Sequence, residues 1–124
     1  MVSAQCKASV VVLNWNGKPL LSACLDSLRN QSWEDFEIIV VDNGSVDGSV
    51  EFLEEHFPEV RIVRLSHNLG FCKGNNIGIK QAKGEYIVLL NNDAVVDTYW
   101  LEELVKALDE HPEVGFCASK MVLY

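Results

Sequence analysis

The stretch "FEIIVVDNGSVDGSVEFLEEHF", residues 36–57, decides the fold class. Its first part, "FEIIVVD" (36–42), is apolar and β-branched and reads as a strand covered on both faces. The segment 45–57 opens with residues that favour turns and helix N-caps, then reads as a short acidic helix. Its expected apolar face is Val46, Val50, Leu53 and Phe57; Phe52 falls off that face, and pattern alone does not place it. A continuous apolar strand followed by an amphipathic helix is the repeating unit of a parallel sheet.

The same alternation runs along the chain. "ASVVVLN" (8–14) predicts a buried strand, and residues 18–30 a helix with Leu20, Leu21, Cys24, Leu25 and Leu28 on its apolar face. "VRIVRL" (60–65) predicts a third strand. Residues 71–83 predict a helix with Lys80 and Lys83 in its last turn and Gly84 as its stop. "EYIVLL" (85–90) is the fourth strand. Asp97 or Thr98 would cap a helix whose face is Trp100, Leu101, Leu104, Val105 and Leu108, ended by His111-Pro112. "VGFCAS" (114–119) predicts a fifth strand, with Cys117 in the core. The expectation is an α/β fold: one mostly parallel, doubly wound, Rossmann-like sheet with helices on both faces, and residues 1–124 in a single unit.

Composition narrows the function. The 124 residues include 48% hydrophobic side chains and no low-complexity tract, as in a globular domain with a sizeable core. A net charge of −8 disfavours non-specific binding to nucleic acid or anionic lipid, and no nucleic-acid partner is expected. Cysteines 6, 24, 72 and 117 form no CxxC pair and no zinc spacing, so reduced thiols in the cytoplasm are expected. No signal peptide and no transmembrane segment are expected.

Parallel α/β sheets bind ligands beyond the carboxyl ends of their strands. Here those exits read "NWNG" (14–17), "DNGSVDGS" (42–49), "SHNLGFCKGNN" (66–76) and "NNDAV" (91–95). One such polar exit is an ordinary turn, but four at one sheet edge point to a ligand crevice. Neither GxGxxG nor GxxxxGK[ST] is present, which removes the usual dinucleotide and Walker A loops. Gly70 and Gly74 let backbone approach a ligand near a helix start, whereas Gly78 reads as close helix packing.

Single residues leave alternatives open. Asp42 and Asn43 either accept hydrogen bonds from a nucleobase imide or organise the turn through Gly44 and Ser45. Trp15, flanked by Asn14 and Asn16, either stacks on a base or lies in the core. Asp93, alone, reads as a turn residue; it becomes a site for Mg²⁺ or Mn²⁺ if a substrate diphosphate adds oxygen ligands. His56, His67 and His111 are isolated and read as surface or turn residues.

Taken together, "SVVVLNWNG", "FEIIVVDNGSVDGS", "NLGFCKGNNIGI", "AKGEYIVLLNNDAVV" and "WLEELV" resemble family 2 glycosyltransferases of the GT-A fold, in the family's order and over nearly the whole chain. The forms "NLGFCKGNN" and "LLNND" look most like its rhamnosyltransferase-like branch. The resemblance implies inverting transfer of a sugar from a nucleoside diphosphate donor to a glycan or lipid-linked acceptor, with Mg²⁺ or Mn²⁺. Cell-wall or polysaccharide synthesis is the implied setting, in the cytoplasm or at the cytoplasmic face of the membrane.

It also implies site roles. Leu13, Asn14, Trp15 and Asn16 would border the base and ribose. Asn43 matches an acidic base-contacting position, beside Asp42 and with Gly44 and Ser45 in the same loop. Asn68, Gly70, Gly74 and Asn75 would close over the nucleoside. Asn92 would lie near ribose and metal, and Asp93 would bind the metal in place of a DXD-type motif. The general base would lie beyond residue 124, so the chain is expected to be the donor-binding portion, truncated at its C-terminus and inactive alone. Self-association through apolar surface left bare is a further expectation. The competing reading is a non-catalytic nucleotide-binding or interaction module with the same fold; a receiver-like signalling domain is a distant third that would not require "NLGFCKGNN" or "LLNND".

Overall fold

The computed structural model describes residues 4–123. β1 (Cys6–Asn14), α1 (Lys18–Arg29), β2 (Phe36–Asp42), α2 (Ser49–His56), β3 (Arg61–Arg64), α3 (Phe71–Gln81), β4 (Gly84–Asn91) and α4 (Trp100–Glu110) alternate along the chain. The strands form one parallel sheet in the order β3-β2-β1-β4. Two crossovers run from β1 to β3 in one direction, and the third returns past β1 to β4. That reversal divides the helices between the two faces and puts a topological switch point at the carboxyl end of β1.

Alternation along β1 builds both cores. Ala8, Val10 and Val12 face α1, α2 and α4, where Leu21, Cys24, Leu25, Leu28, Leu53, Leu101 and Val105 are buried. Val11, with Ile39 and Val41, faces α3. Gly78 lets that helix sit close: a Cβ there would lie 2.6 Å from Val11 Cγ1 and 2.7 Å from Val41 Cγ2. Phe52 packs half-buried against the larger core, its ring centroid 5.9 Å from that of Phe57.

Several expectations are corrected. Leu20 is exposed, because the buried stripe of α1 centres on Leu21, Cys24, Leu25 and Leu28 and position 20 falls at its rim. Val46 is exposed as well: two left-handed glycines, Gly44 (φ 80°) and Gly48 (φ 82°), hold the chain in a turn, and α2 starts only at Ser49. Gly84 is not a helix stop. α3 ends at Gln81, the Lys83 N–H donates to Glu37, and Gly84 opens β4 where a Cβ would fall 2.5 Å from the Ala8 carbonyl carbon.

The fifth strand does not form. Residues 114–119 pair with no strand, and Cys117 is exposed rather than core. "VGFCAS" has one β-branched residue beside a glycine and two small side chains, so its apolar content is not matched by β propensity. The N-cap of α4 is Tyr99, not Asp97 or Thr98. Asp97 bonds the Tyr99 N–H, and Gln31 supplies the cap across the core: its Oε1 accepts from Leu101 N at 2.9 Å, and its Nε2 donates to Ser27 O and Asp97 O.

All four cysteines are free thiols, and no helix among the described residues is long and apolar enough to cross a membrane.

Candidate functional site

At the carboxyl ends of the strands, hydrogen bonds tie all four exits into one rim. Asn14, fully buried at the end of β1, is its centre. Its Nδ2 donates to Asp42 Oδ1 (3.2 Å) and Ser45 Oγ (3.3 Å) after β2, and its Oδ1 accepts from Asn92 Nδ2 (3.0 Å) after β4. The β3 exit joins through Asn43, whose Nδ2 donates to Asn68 Oδ1 at 3.0 Å. Gly17 makes the closure possible, since a Cβ there would meet Asn92 Nδ2 at 2.3 Å and Asn14 Oδ1 at 2.6 Å.

Asp42 is 2% exposed and both its oxygens are engaged: Oδ1 by Asn14, and Oδ2 by the Ser45 N–H at 3.0 Å. It is a turn organiser in this structure. Asn43 is likewise 2% exposed, with its Oδ1 taken by the Leu69 N–H at 2.8 Å. Asn16 holds a left-handed φ of 48°, a region asparagine enters more readily than most residues, and its Oδ1 accepts from Val46 N in the loop after β2. The chain thus spends most of its polar exits on one another, which fixes their geometry.

Trp15 and Asp93 stay open to solvent on the rim. Trp15 is 55% exposed, so it is not a core residue. Asp93 is exposed in the turn after β4. Its charge reaches Cys24, whose thiol is pushed up to about 11 first by burial and then by Asp93. Asn68 and Gly70 are exposed in the loop before α3; Gly70 has φ 89° and open space around its Cα. Gly74 and Asn75 are buried in α3: Gly74 packs on Leu13, and Asn75 Nδ2 bonds the Phe71 carbonyl.

No group of three or more His, Cys, Asp or Glu among the described residues forms a metal cage. Asp93 alone offers one carboxylate, a donor set that fits Mg²⁺ or Mn²⁺ only when a ligand brings further oxygens. A groove of about 690 Å³ lies elsewhere, between β4, α4 and residues 115–121. It is mostly apolar and contains no residue of the rim.

Sequence reasoning missed two residues of the rim. Gly17 gives no local signal, because its need for a bare Cα arises from Asn14 and Asn92, distant in sequence. Asp47 joins the starts of two helices, accepting from Lys18 N at 3.0 Å and from Ser49 N at 3.0 Å. Its place two residues before Ser49 is an Asx-turn signature that could have been read. Burial raises its carboxyl, but the bonds from Ser49 and Lys18 outweigh that and hold it below the usual range.

The family model described as Glycosyl transferase family 2 matches residues 9–122. The chain belongs to glycosyl transferase family 2. Among curated relatives, the uncharacterized glycosyltransferase YibD of Escherichia coli (strain K12) is 31% identical over 121 residues, which is 94% of this chain and 35% of that protein. Solved structures share the fold, among them TarS and PcManGT. TarS 1–349 of S. aureus, in complex with UDP-GlcNAc, has a TM-score of 0.79 at 29% identity, over 86% of this chain and 32% of its own. Mannosyltransferase PcManGT from Pyrobaculum calidifontis, in complex with GDP-Man and Mn²⁺, has a TM-score of 0.75 at 26% identity, over 83% of this chain and 32% of its own. This family 2 chain therefore spans about a third of the length of YibD and of these two structures.

Proposed function

We propose that this chain is the donor-binding part of a metal-dependent, inverting glycosyltransferase that moves a sugar from a nucleoside diphosphate to a glycan or lipid-linked acceptor. The reading rests most heavily on one observation: a single hydrogen-bonded rim joins all four strand exits and leaves Trp15 and Asp93 exposed on it. The UDP-GlcNAc complex of TarS and the GDP-Man and Mn²⁺ complex of PcManGT support a nucleoside diphosphate donor. "NLGFCKGNN" and "LLNND" favour the rhamnosyltransferase-like branch. Work on a cytoplasmic substrate in cell-wall or polysaccharide assembly accords with that class.

In this mechanism Leu13, Asn14, Trp15 and Asn16 border the base and ribose, with the Trp15 ring as a stacking face. Asn43, Gly44 and Ser45 form the floor beside Asp42, and the segment with Asn68, Gly70, Gly74 and Asn75 forms the opposite wall. Asn92, fixed by Asn14, lies beside the ribose. Asp93 would hold a divalent ion together with donor oxygens, and that ion would supply charge stabilisation for the departing diphosphate. That help matters in a chain of net charge −8, which otherwise repels an anionic donor.

Deprotonation of the acceptor hydroxyl needs a free base. Asp42 is buried and bonded, Asp47 is bonded to two backbone N–H groups, and Asp93 serves the metal. The chain alone then binds donor without turning it over.

Thermal unfolding with UDP or GDP, each with Mn²⁺, tests the reading. Ligand binding to the native state raises Tm by mass action, and Asp93→Asn removes the metal-dependent part. A Tm that no nucleoside diphosphate moves, with metal present, refutes the donor site. Robust sugar transfer by the 124-residue chain refutes the assignment of the base elsewhere.

A further inference from the structure

The resemblance assigns Asn43 to the base, yet both ends of its side-chain amide bond the neighbouring loop. Oδ1 accepts from Leu69 N at 2.8 Å, while Nδ2 donates to Asn68 Oδ1 at 3.0 Å and to Gly70 O at 3.3 Å. One amide thus bonds three consecutive residues. The polarity is fixed at both ends. The Leu69 N–H requires an oxygen at one arm of Asn43. Asn68 Oδ1 also accepts the Gly70 N–H at 2.8 Å, so turning the Asn68 amide over would set N–H against N–H. The backbones meet at the same place: a Cβ on Gly44 would fall 2.6 Å from His67 Cα.

We propose that Asn43 is a positioning residue, a clip that holds residues 68–70 against the end of β2 and so sets the nucleoside wall, rather than a reader of the base. This rests on the donor-site reading above. The clip requires an amide. An aspartate at position 43 keeps the acceptor for Leu69 but replaces both N–H donors with a carboxylate oxygen facing Asn68 Oδ1 and Gly70 O. A base-reading residue has the opposite requirement, since only its acceptor oxygen matters to an imide N–H.

The test is amide hydrogen exchange on the full chain, together with binding of UDP, GDP and inorganic pyrophosphate in Mn²⁺. In Asn43→Asp, exchange at Gly70 and its neighbours should quicken about tenfold, with central β1 amides unchanged. UDP and GDP should weaken by a similar factor to each other, and pyrophosphate should not weaken. The exposed Asn68 gives a second pair of variants that leaves the buried position intact. Asn68→Asp keeps the acceptor oxygen and should retain Gly70 protection, whereas Asn68→Ala should lose it. Wild-type exchange in Asn43→Asp, a loss confined to one base, or equal loss of protection in Asn68→Asp and Asn68→Ala would overturn the proposal. The expected exchange pattern in a chain that binds no nucleoside diphosphate would support the clip while refuting the donor site.

Discussion

Replacing Asp42 by asparagine separates its two possible duties. The change is isosteric, and position 42 is 2% exposed, so packing is preserved. Both carboxylate oxygens accept from protein donors: Asn14 Nδ2 at 3.2 Å and Ser45 N at 3.0 Å. An amide has one acceptor oxygen, so its NH2 must face a donor on one side. Inverting Asn14 relieves this only if Asn92 inverts with it, because Asn14 Oδ1 already accepts from Asn92 Nδ2. The loss is one hydrogen bond to a charged group, about 2 kcal/mol. For a chain of 124 residues this corresponds to a fall in Tm of roughly 8 °C. Thermal unfolding without ligand, followed by circular dichroism, measures it. An unchanged Tm combined with lost UDP binding would refute the turn-organising account and return Asp42 to the base.

Two further perturbations probe the frame around the rim. Gly78→Ala places a methyl between Val11 and Val41, two β-branched side chains on buried strands with little freedom to yield. The overpacking should outweigh the gain in helix propensity and lower stability by about 1–2 kcal/mol in chemical denaturation; a stabilised variant would contradict the close packing of α3. Asp47→Asn should destabilise at neutral pH in a pH-dependent way. The native carboxyl of Asp47 lies below its usual value, so its contribution is present above the unfolded pKa of about 3.9 and is lost as pH falls through the native one. The gap in stability between variant and wild type should therefore close in acid, and a gap independent of pH would contradict the bonds to Lys18 and Ser49.

The strands were legible because a sheet covered on both faces needs continuous β-branched runs, and "SVVVLN" and "FEIIVVD" have no other reading at their length. Helix faces were legible where burial follows 3.6-residue spacing, as at Leu101 and Val105. The pattern failed where tertiary or turn geometry decides: Val46 is apolar but held in a glycine turn, and Gly84 serves a close strand approach that only the β1 pairing creates. At the site, the sequence placed polar residues at all four exits. It did not reveal that Asn14 bonds Asp42 across the sheet or that Asn43 bonds residues 68–70, because the first depends on parallel register, with Asn14 opposite Asp42, and the second on where the loop after β3 returns. Trp15 shows the converse, since only the structure distinguishes an exposed ring from a core one.

Calorimetric titration of Mn²⁺ into the chain, with and without saturating UDP or GDP, tests the central claim most directly. A single exposed carboxylate completed by diphosphate oxygens predicts weak Mn²⁺ binding alone and binding at least about tenfold tighter with nucleotide, with the same factor appearing in nucleotide affinity when Mn²⁺ is present. Asp93→Asn should abolish the coupling. Equal Mn²⁺ affinity with and without either nucleotide, or coupling that survives Asp93→Asn, would contradict a donor site built on the end of β4.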